Sequence, residues 1–273
     1  MSKHVAVIIG AGGMGLAVAR RIGSGRQLLL ADFDTAQLDR AAVTLRQEGF
    51  DVTTSQVDVG SAASVDALAQ AAAAAGPVLQ VVHTAGVSPT QAPVEVVLRV
   101  DLLGTAHVLA SFERVITAGG AAVVVASAAG HRGAELDAEL KRTLAEADPA
   151  DLLSLPHLAT IDTPTAAYRF AKRANIVQVQ AAAPAWGRRG ARVNSLSPGH
   201  ISTPMGQQEL AGPEGERLWA AIAASPAARL GTAEDIADGV AFLLGPSASF
   251  VTGTDLLVDG GSTAARKSVD WTS

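Results

Sequence analysis

The chain opens on an apolar run in which Val5, Val7, Ile8 and Ile9 leave neither alternating face polar. That pattern suits a central parallel strand buried on both faces. A glycine cluster follows, then an amphipathic stretch that predicts a helix over 14–23. QLLLADFD is a second apolar run, and the alternation continues down the chain. Further strands are predicted at 51–57, 78–83, 121–126, 191–196 and 255–258. Helical periodicity falls at 35–48, 61–75, 93–116, 166–187 and 233–244. Such alternation implies right-handed β-α-β crossovers and an α/β fold, a doubly wound parallel sheet with helices on both faces. No linker or repeat divides residues 1–273, so a single domain is expected. One segment, 131–165, breaks the rhythm.

The glycine cluster adds chemistry. Gly10, Gly12 and Gly15, with Gly13 and Met14 between them, match the G-x-G-x-x-G fingerprint of a Rossmann-type nucleotide site. The first glycine permits the tight turn, the second lets backbone approach a pyrophosphate, and the third lets helix pack on strand. The helix N-terminus offers free N–H groups and partial positive charge to phosphate. Asp32, followed by Phe33, ends the second strand at the distance expected of a ribose-binding acid. A carboxylate there accepts both adenosine ribose hydroxyls and repels a 2′-phosphate, which favours NAD(H). Asp34 is its neighbour and a helix-capping residue.

Composition narrows the classes. Charged residues are 17% and hydrophobic ones 48%, and the net charge is −5, which gives no electrostatic case for nucleic acid or an anionic membrane. The absence of cysteine excludes disulfides, thiol catalysis and thiolate metal sites. The six histidines are scattered with no ligand spacing, so no metal site is expected. His83 lies in a predicted strand near the nucleotide site, and His131 is placed either at the substrate or in solvent. No apolar stretch is long enough to span a bilayer, and the first strand begins at once, so a cytoplasmic protein is expected.

Tyr168 and Lys172 stand four residues apart in AAYRFAKRAN, one turn apart on one helix face. A fixed ammonium beside a phenol favours the phenolate and lowers its pKa toward the range of acid–base work. With the motifs around it, this pair resembles the short-chain dehydrogenases/reductases of the classical type. The likeness runs nearly the whole chain. Asp58-Val59 resembles the end of the third strand, which lies along adenine. His83, Thr84, Ala85 and Gly86 stand where the family has Asn-Asn-Ala-Gly. Ser127, in VVVASAAG, falls at the catalytic serine. Asn194, Pro198, Gly199, Ile201 and Thr203 match the sixth strand and its loop, and FVTGTDLLVDGG the last strand.

The resemblance implies roles. Tyr168 is the general acid in carbonyl reduction and the base in alcohol oxidation. Lys172 depresses the Tyr168 pKa and holds the nicotinamide ribose. Ser127 polarises the substrate oxygen. Ile201 and Thr203 bind the carboxamide. A homodimer or homotetramer acting on a small-molecule alcohol or carbonyl is implied, with a non-catalytic NAD-binding regulator or scaffold on the same fold as the alternative.

Three departures stand out. The glycine turn Gly10–Gly13–Gly15 has one residue fewer than the family turn. Asp101 replaces the asparagine that holds a relay water in the family; an anion there stabilises a charged Lys172. Ser127 and Tyr168 are 41 positions apart, far beyond the family spacing. The excess resembles the insertion of bacterial 3α-hydroxysteroid dehydrogenase-like enzymes. It carries Leu136, Leu140 and Leu144 on one helical stripe, then Leu152, Leu153, Leu155 and Leu158, and reads as a lid or as a packing or oligomer-contact element, the lid favoured because both its ends are anchored beside Ser127 and Tyr168. Residues 202–229 are the substrate loop, with Met205, Leu210, Leu218 and Trp219 as candidate walls or core. A steroid or other lipophilic substrate would suit an apolar lid.

Overall fold

The structure is a computed structural model that describes residues 3–132 and 135–270, with side chains to 266. Residues 133 and 134 of the predicted insertion lie outside the described residues.

Seven parallel strands form one sheet in the order β3-β2-β1-β4-β5-β6-β7. They are β1 (Val5–Ile9), β2 (Gln27–Asp32), β3 (Asp51–Gln56), β4 (Val78–His83), β5 (Ile116–Val125), β6 (Arg192–Pro198) and β7 (Asp255–Val258). All five residues of β1 are buried, as a strand covered on both faces requires. One face is closed by α1 (Gly13–Ile22), α2 (Thr35–Gln47) and α10 (Ala233–Leu244), whose apolar stripes pack on Ile8, Leu30 and Val123. The other is closed by α3 (Ala62–Ala75), α4 (Val94–Val97), α5 (Gly104–Glu113) and α7 (Pro164–Arg188), over Val7, Val81 and Val124. Among the described residues, no helix is long and apolar enough to cross a membrane.

Two boundaries differ from expectation, each for a local reason. β5 begins at Ile116, before the predicted start, because the strand passes through Gly119-Gly120, with Gly119 at φ +83°, and shifts register against β4. The helix predicted at 93–116 is interrupted. Over Leu98–Leu103 it widens by one residue per turn, and the Gly104 N–H reaches back to the Arg99 carbonyl. Such widening re-aims a side chain out of the regular helical pattern. Asp101 lies within this segment and is buried.

Within the insertion, α6 (Ala138–Glu146) is capped by Asp137, and two short helical turns follow over Pro149–Ser154 and Pro156–Thr160. Leu144, Leu152 and Leu158 are buried against Leu102, Ala106 and Phe170, while Leu136, Leu140 and Leu155 pack on that cluster's rim. Leu153 points outward, 42% exposed. The insertion therefore lies on the α5–α7 layer. In the 202–229 region α8 (Pro204–Leu210) and α9 (Gly215–Ala223) form a helical pair, and α11 (Ser262–Asp270) ends the described chain.

Candidate active site

α7 starts sharply. Thr163 caps it, its Oγ1 accepting from the Ala166 N–H at 3.2 Å, and Pro164 takes the first turn, where a missing N–H costs nothing. Its buried face is small: Ala167, Ala171 and Ala174 let the helix settle close to the core, with Tyr168 and Lys172 one turn apart. Facing it, the chain leaves β5 and turns through Ser127–Gly130. Gly130 makes this approach possible, since a Cβ there would lie 2.9 Å from the backbone of Lys172 and Arg173. The Arg173 Nε donates to the Gly130 carbonyl at 2.7 Å. On the far side, the His131 Nε2 is bonded to Asp255 at 2.8 Å. The expectation that His131 meets substrate or solvent is thus corrected: it ties the serine turn to β7. Held from both sides, Ser127 lines the same cavity wall as Tyr168, and its Oγ accepts from the Ala129 N–H at 3.1 Å.

Behind the hydroxyl pair lies a buried ion pair. The Lys172 Nζ stands 3.8 Å from the Asp101 Oδ1 and 5.5 Å from the centre of the Tyr168 ring, and donates to the Val125 carbonyl at 3.4 Å. Asp101 is fully enclosed; its Oδ1 accepts from the Val87 N–H at 3.1 Å, and its Oδ2 has no partner. Gly86 leaves room for both, as a Cβ there would come within 2.7 Å of Asp101 and 3.2 Å of Lys172. Burial pushes the Asp101 carboxyl up to about 6, against the pull of Lys172 and the Val87 N–H. Burial also holds the Tyr168 phenol above its ordinary value; Asp101's charge adds to that, and Ser127 opposes it. This corrects the expectation that Lys172 lowers the phenol pKa. Burial is the largest cause acting on the phenol, so desolvation decides the direction.

Two cavities meet at this centre. A groove of about 590 Å³ runs past the C-terminal ends of β1, β2, β3 and β4, at the point where strand order reverses. Its walls include Gly10, Gly12, Gly13, Met14 and Gly15 from the first turn, and Asp32 and Phe33 after β2. Asp58, Val59, Thr84, Ala85, Gly86 and Thr203 complete the predicted set there. Gly10 takes φ +105°, and a Cβ on Gly15 would run into the Gly10 carbonyl, so turn and helix interlock without side chains. Gly12 caps α1 with no side-chain bond, leaving first-turn N–H groups for an anion, and a Cβ there would meet only Gln37 at 3.9 Å. Asp32 braces the turn as well as facing the groove: its Oδ2 accepts from the Ala11 N–H at 2.6 Å and its Oδ1 from the Asp34 N–H at 2.9 Å. Asp34 caps α2 as expected, accepting from the Gln37 N–H. These residues fit a dinucleotide.

The second cavity, about 230 Å³, shares Met14, Thr203 and Met205 with the groove. Ser127 and Tyr168 open onto it, as do Pro198, Gly199 and Ile201, with Leu210 and Leu218 opposite. Trp219 is off the wall, 49% exposed. Lys172 and Asp101 sit behind both walls. Sequence reasoning missed Gln37 and Arg99 in the groove, Arg99 pairing with Asp58 at 2.8 Å, and Arg132, Arg169, His200 and Glu209 in the cavity. None of these stands in a spaced motif; they converge only on folding.

His83 yields a stability prediction. It is buried at the end of β4, and neither ring nitrogen has a partner. Burial, then the charge of Lys172, drops its pKa from 6.5 to about 3. The unfolded chain therefore binds more protons between those values, and stability falls as pH falls through that window. Moving from pH 8 to 4.5 should cost about 2–3 kcal/mol through this residue. His83→Leu should remove that part of the loss. Urea midpoints at the two pH values measure it, and equal acid losses in both proteins would exonerate His83.

Comparison with known proteins places the geometry in context. Residues 3–138 match the short chain dehydrogenase family model, and 154–263 match the model described as enoyl-(acyl carrier protein) reductase. The chain is 43% identical over 266 residues to the short-chain dehydrogenase/reductase bsc3 of Alternaria brassicicola, covering 97% of each. The chain belongs to the short-chain dehydrogenase/reductase family. It is also 31% identical to the 3-alpha-hydroxysteroid dehydrogenase/carbonyl reductase of Comamonas testosteroni, over 67% of this chain and 72% of that one. Among solved structures, levodione reductase superposes with a TM-score of 0.79 at 26% identity, covering 97% of this chain and 99% of that one. As a member of this family the protein is an oxidoreductase of alcohols and carbonyls that uses a nicotinamide cofactor.

Proposed function

We propose that the protein is an NAD(H)-dependent dehydrogenase/reductase interconverting a secondary alcohol and its ketone on a lipophilic body, a steroid being one such. The observation that carries this reading is that Ser127 and Tyr168 open together onto the cavity where it meets the groove, with the Lys172 ammonium 5.5 Å from the Tyr168 ring. The first-turn backbone at Gly12 and Gly13 would hold the pyrophosphate, Asp32 the adenosine ribose, and Asp58 and Val59 would flank adenine. Ile201, Thr203, Pro198 and Gly199 lie where the carboxamide end would reach. When bound, the nicotinamide supplies or accepts hydride. Tyr168 gives its hydroxyl proton to the carbonyl oxygen, or takes one from the alcohol. Ser127 holds that oxygen and steadies developing negative charge. Lys172 and Asp101 set the field behind the phenol. Met14, Met205, Leu210 and Leu218 give the substrate an apolar wall.

A panel of secondary alcohols and ketones, followed by NADH absorbance with NADPH in parallel, tests the reading. NADH should be preferred at least tenfold, about 1.4 kcal/mol. Asp32 supports this choice, as does the lack, among the described residues, of any basic side chain on the groove wall other than Arg99, which Asp58 holds. Because Asp32 also pins the turn, Asp32→Asn is the cleaner variant. It keeps an acceptor for the Ala11 N–H while removing the charge. It should narrow the preference chiefly by improving NADPH binding, read by fluorescence titration; an unchanged ratio would clear Asp32 of the role.

We expect a homodimer or homotetramer. β7 is an edge strand, and Phe242 and Phe250 are strongly exposed beside it, which supports association through that edge. The insertion reads as a fixed packing element on α5 and α7, since its leucines are already buried and none of residues 136–163 lines the cavity.

A further inference from the structure

We propose that the substrate carries an anionic group, a carboxylate, sulfonate or phosphate, bound by Arg132 and Arg169 a few bonds from the reacting carbon. This rests on the oxidoreductase reading above. Arg132, Arg169 and Arg217 all line the cavity onto which Ser127 and Tyr168 open, in a protein whose net charge is −5. Arg217 is held by Glu214 at 2.6 Å. Among the described residues, neither Arg132 nor Arg169 has an ion-pair partner, and the Arg132 Nε is buried with no hydrogen bond.

The acids nearby are already committed. Burial raises the pKa of Glu209, which weakens it as a counter-charge, with Ser88 opposing that shift. Asp259 accepts from the Gly261 and Thr263 N–H groups at 2.9 and 2.7 Å. Arg266, on α11, adds its charge, so that burial and then the fields of Arg266, Arg169 and Arg217 act against the Arg132 cation, with the weaker pull of Asp259 in its favour. His200, also on the wall, is kept neutral by burial and by Arg132 and Arg266, and its Nε2 has no partner. A half-buried guanidinium with no ion pair in contact is costly, and an oxyanion relieves it through short charge-assisted bonds. The two arginines fix where that anion sits. Both line the same cavity as Ser127 and Tyr168, which puts the anion in the chamber that holds the carbinol. Met205, Leu210 and Leu218 take the rest of the molecule.

The test compares 3-hydroxybutyrate with neutral 3-hydroxybutyramide as alcohol substrates with NAD+. 2-Hydroxypropanesulfonate and 2-hydroxypropyl phosphate distinguish the kind of anion. At least one anionic compound should exceed the amide in kcat/KM by about tenfold or more. Arg132→Gln should collapse that ratio, mainly through KM. Arg169→Gln, at an exposed position that folding does not need, should lower it too. Equal kcat/KM for charged and neutral compounds, or a preference that survives both substitutions, would overturn the proposal. If none of the compounds is oxidised, calorimetric titration into the protein with NAD+ decides separately. Anion binding that disappears in Arg132→Gln supports the subsite even if the oxidoreductase reading fails. No anion binding, or equal affinity for the amide, overturns it.

Discussion

Tyr168→Phe should lower turnover by about 100-fold or more while leaving NADH binding intact. The substitution removes one oxygen. The ring keeps its place on α7, and the Lys172 Nζ, 5.5 Å from the ring centre, keeps its neighbours Val125 and Asp101. The lost oxygen is the one that carries the phenol's exchangeable proton, on the cavity wall that Tyr168 shares with Ser127. Steady-state rates on any accepted alcohol, with cofactor affinity by fluorescence titration, separate the two effects. Undiminished turnover would remove Tyr168 from the chemistry. A matching loss of cofactor affinity would show a displaced helix instead. Because burial holds the phenol above its ordinary value, wild-type Tyr168 is protonated across the working range until substrate and cofactor change its surroundings. Without them it is a proton donor, and its service as a base depends on the field that they and Lys172 provide.

How much of this was legible in the sequence depends on whether the signal was local. Two-sided apolar runs such as VAVII and LLLA mark parallel strands by themselves, and the Tyr168–Lys172 spacing survives folding because a helix preserves it. The glycine turn was legible for the same reason. What escaped was long-range. His131 finds Asp255, 124 positions away, and no periodicity announces that. Arg132, Arg169 and Arg266 belong to a loop and two different helices and converge only in the cavity region. The widened helical segment at Asp101 is a backbone choice that Leu98–Leu103 does not advertise, since the run looks like ordinary helix. The direction of the Tyr168 shift was misread because spacing reveals a lysine's proximity but not the burial around it. For the insertion, the amphipathic stripe correctly predicted a buried face, while the partner of that face, α5 and α7, was a tertiary fact.

Lys172→Ala should do the broadest damage. Lys172 is 5% exposed and its partner Asp101 1%, so the substitution leaves a carboxylate in a closed site with one N–H bond. Breaking a buried pair from one side costs about 3 kcal/mol or more, unless the orphan takes up a proton. Burial already raises the Asp101 pKa to about 6, and losing the cation that pulls it down will carry it higher, so the variant should lose stability as pH rises from about 4 through that raised value, extending the loss past the point where it levels off in the wild type. The sign is specific: a carboxyl whose pKa is raised on folding favours the folded state at low pH and opposes it at high pH. Turnover and NADH affinity should both fall, because the ammonium sits between the phenol and the wall at Gly86. Adding Asp101→Asn to Lys172→Ala removes the orphan charge while keeping an acceptor for the Val87 N–H. The double variant should recover most of the stability and lose its steep dependence on pH, yet recover none of the activity. Thermal or urea unfolding of the four proteins at pH 6 and 8, beside their rates, closes the cycle. Additive stability losses would mean the two side chains are not coupled, and activity restored in the double variant would show that Lys172 serves only to neutralise Asp101.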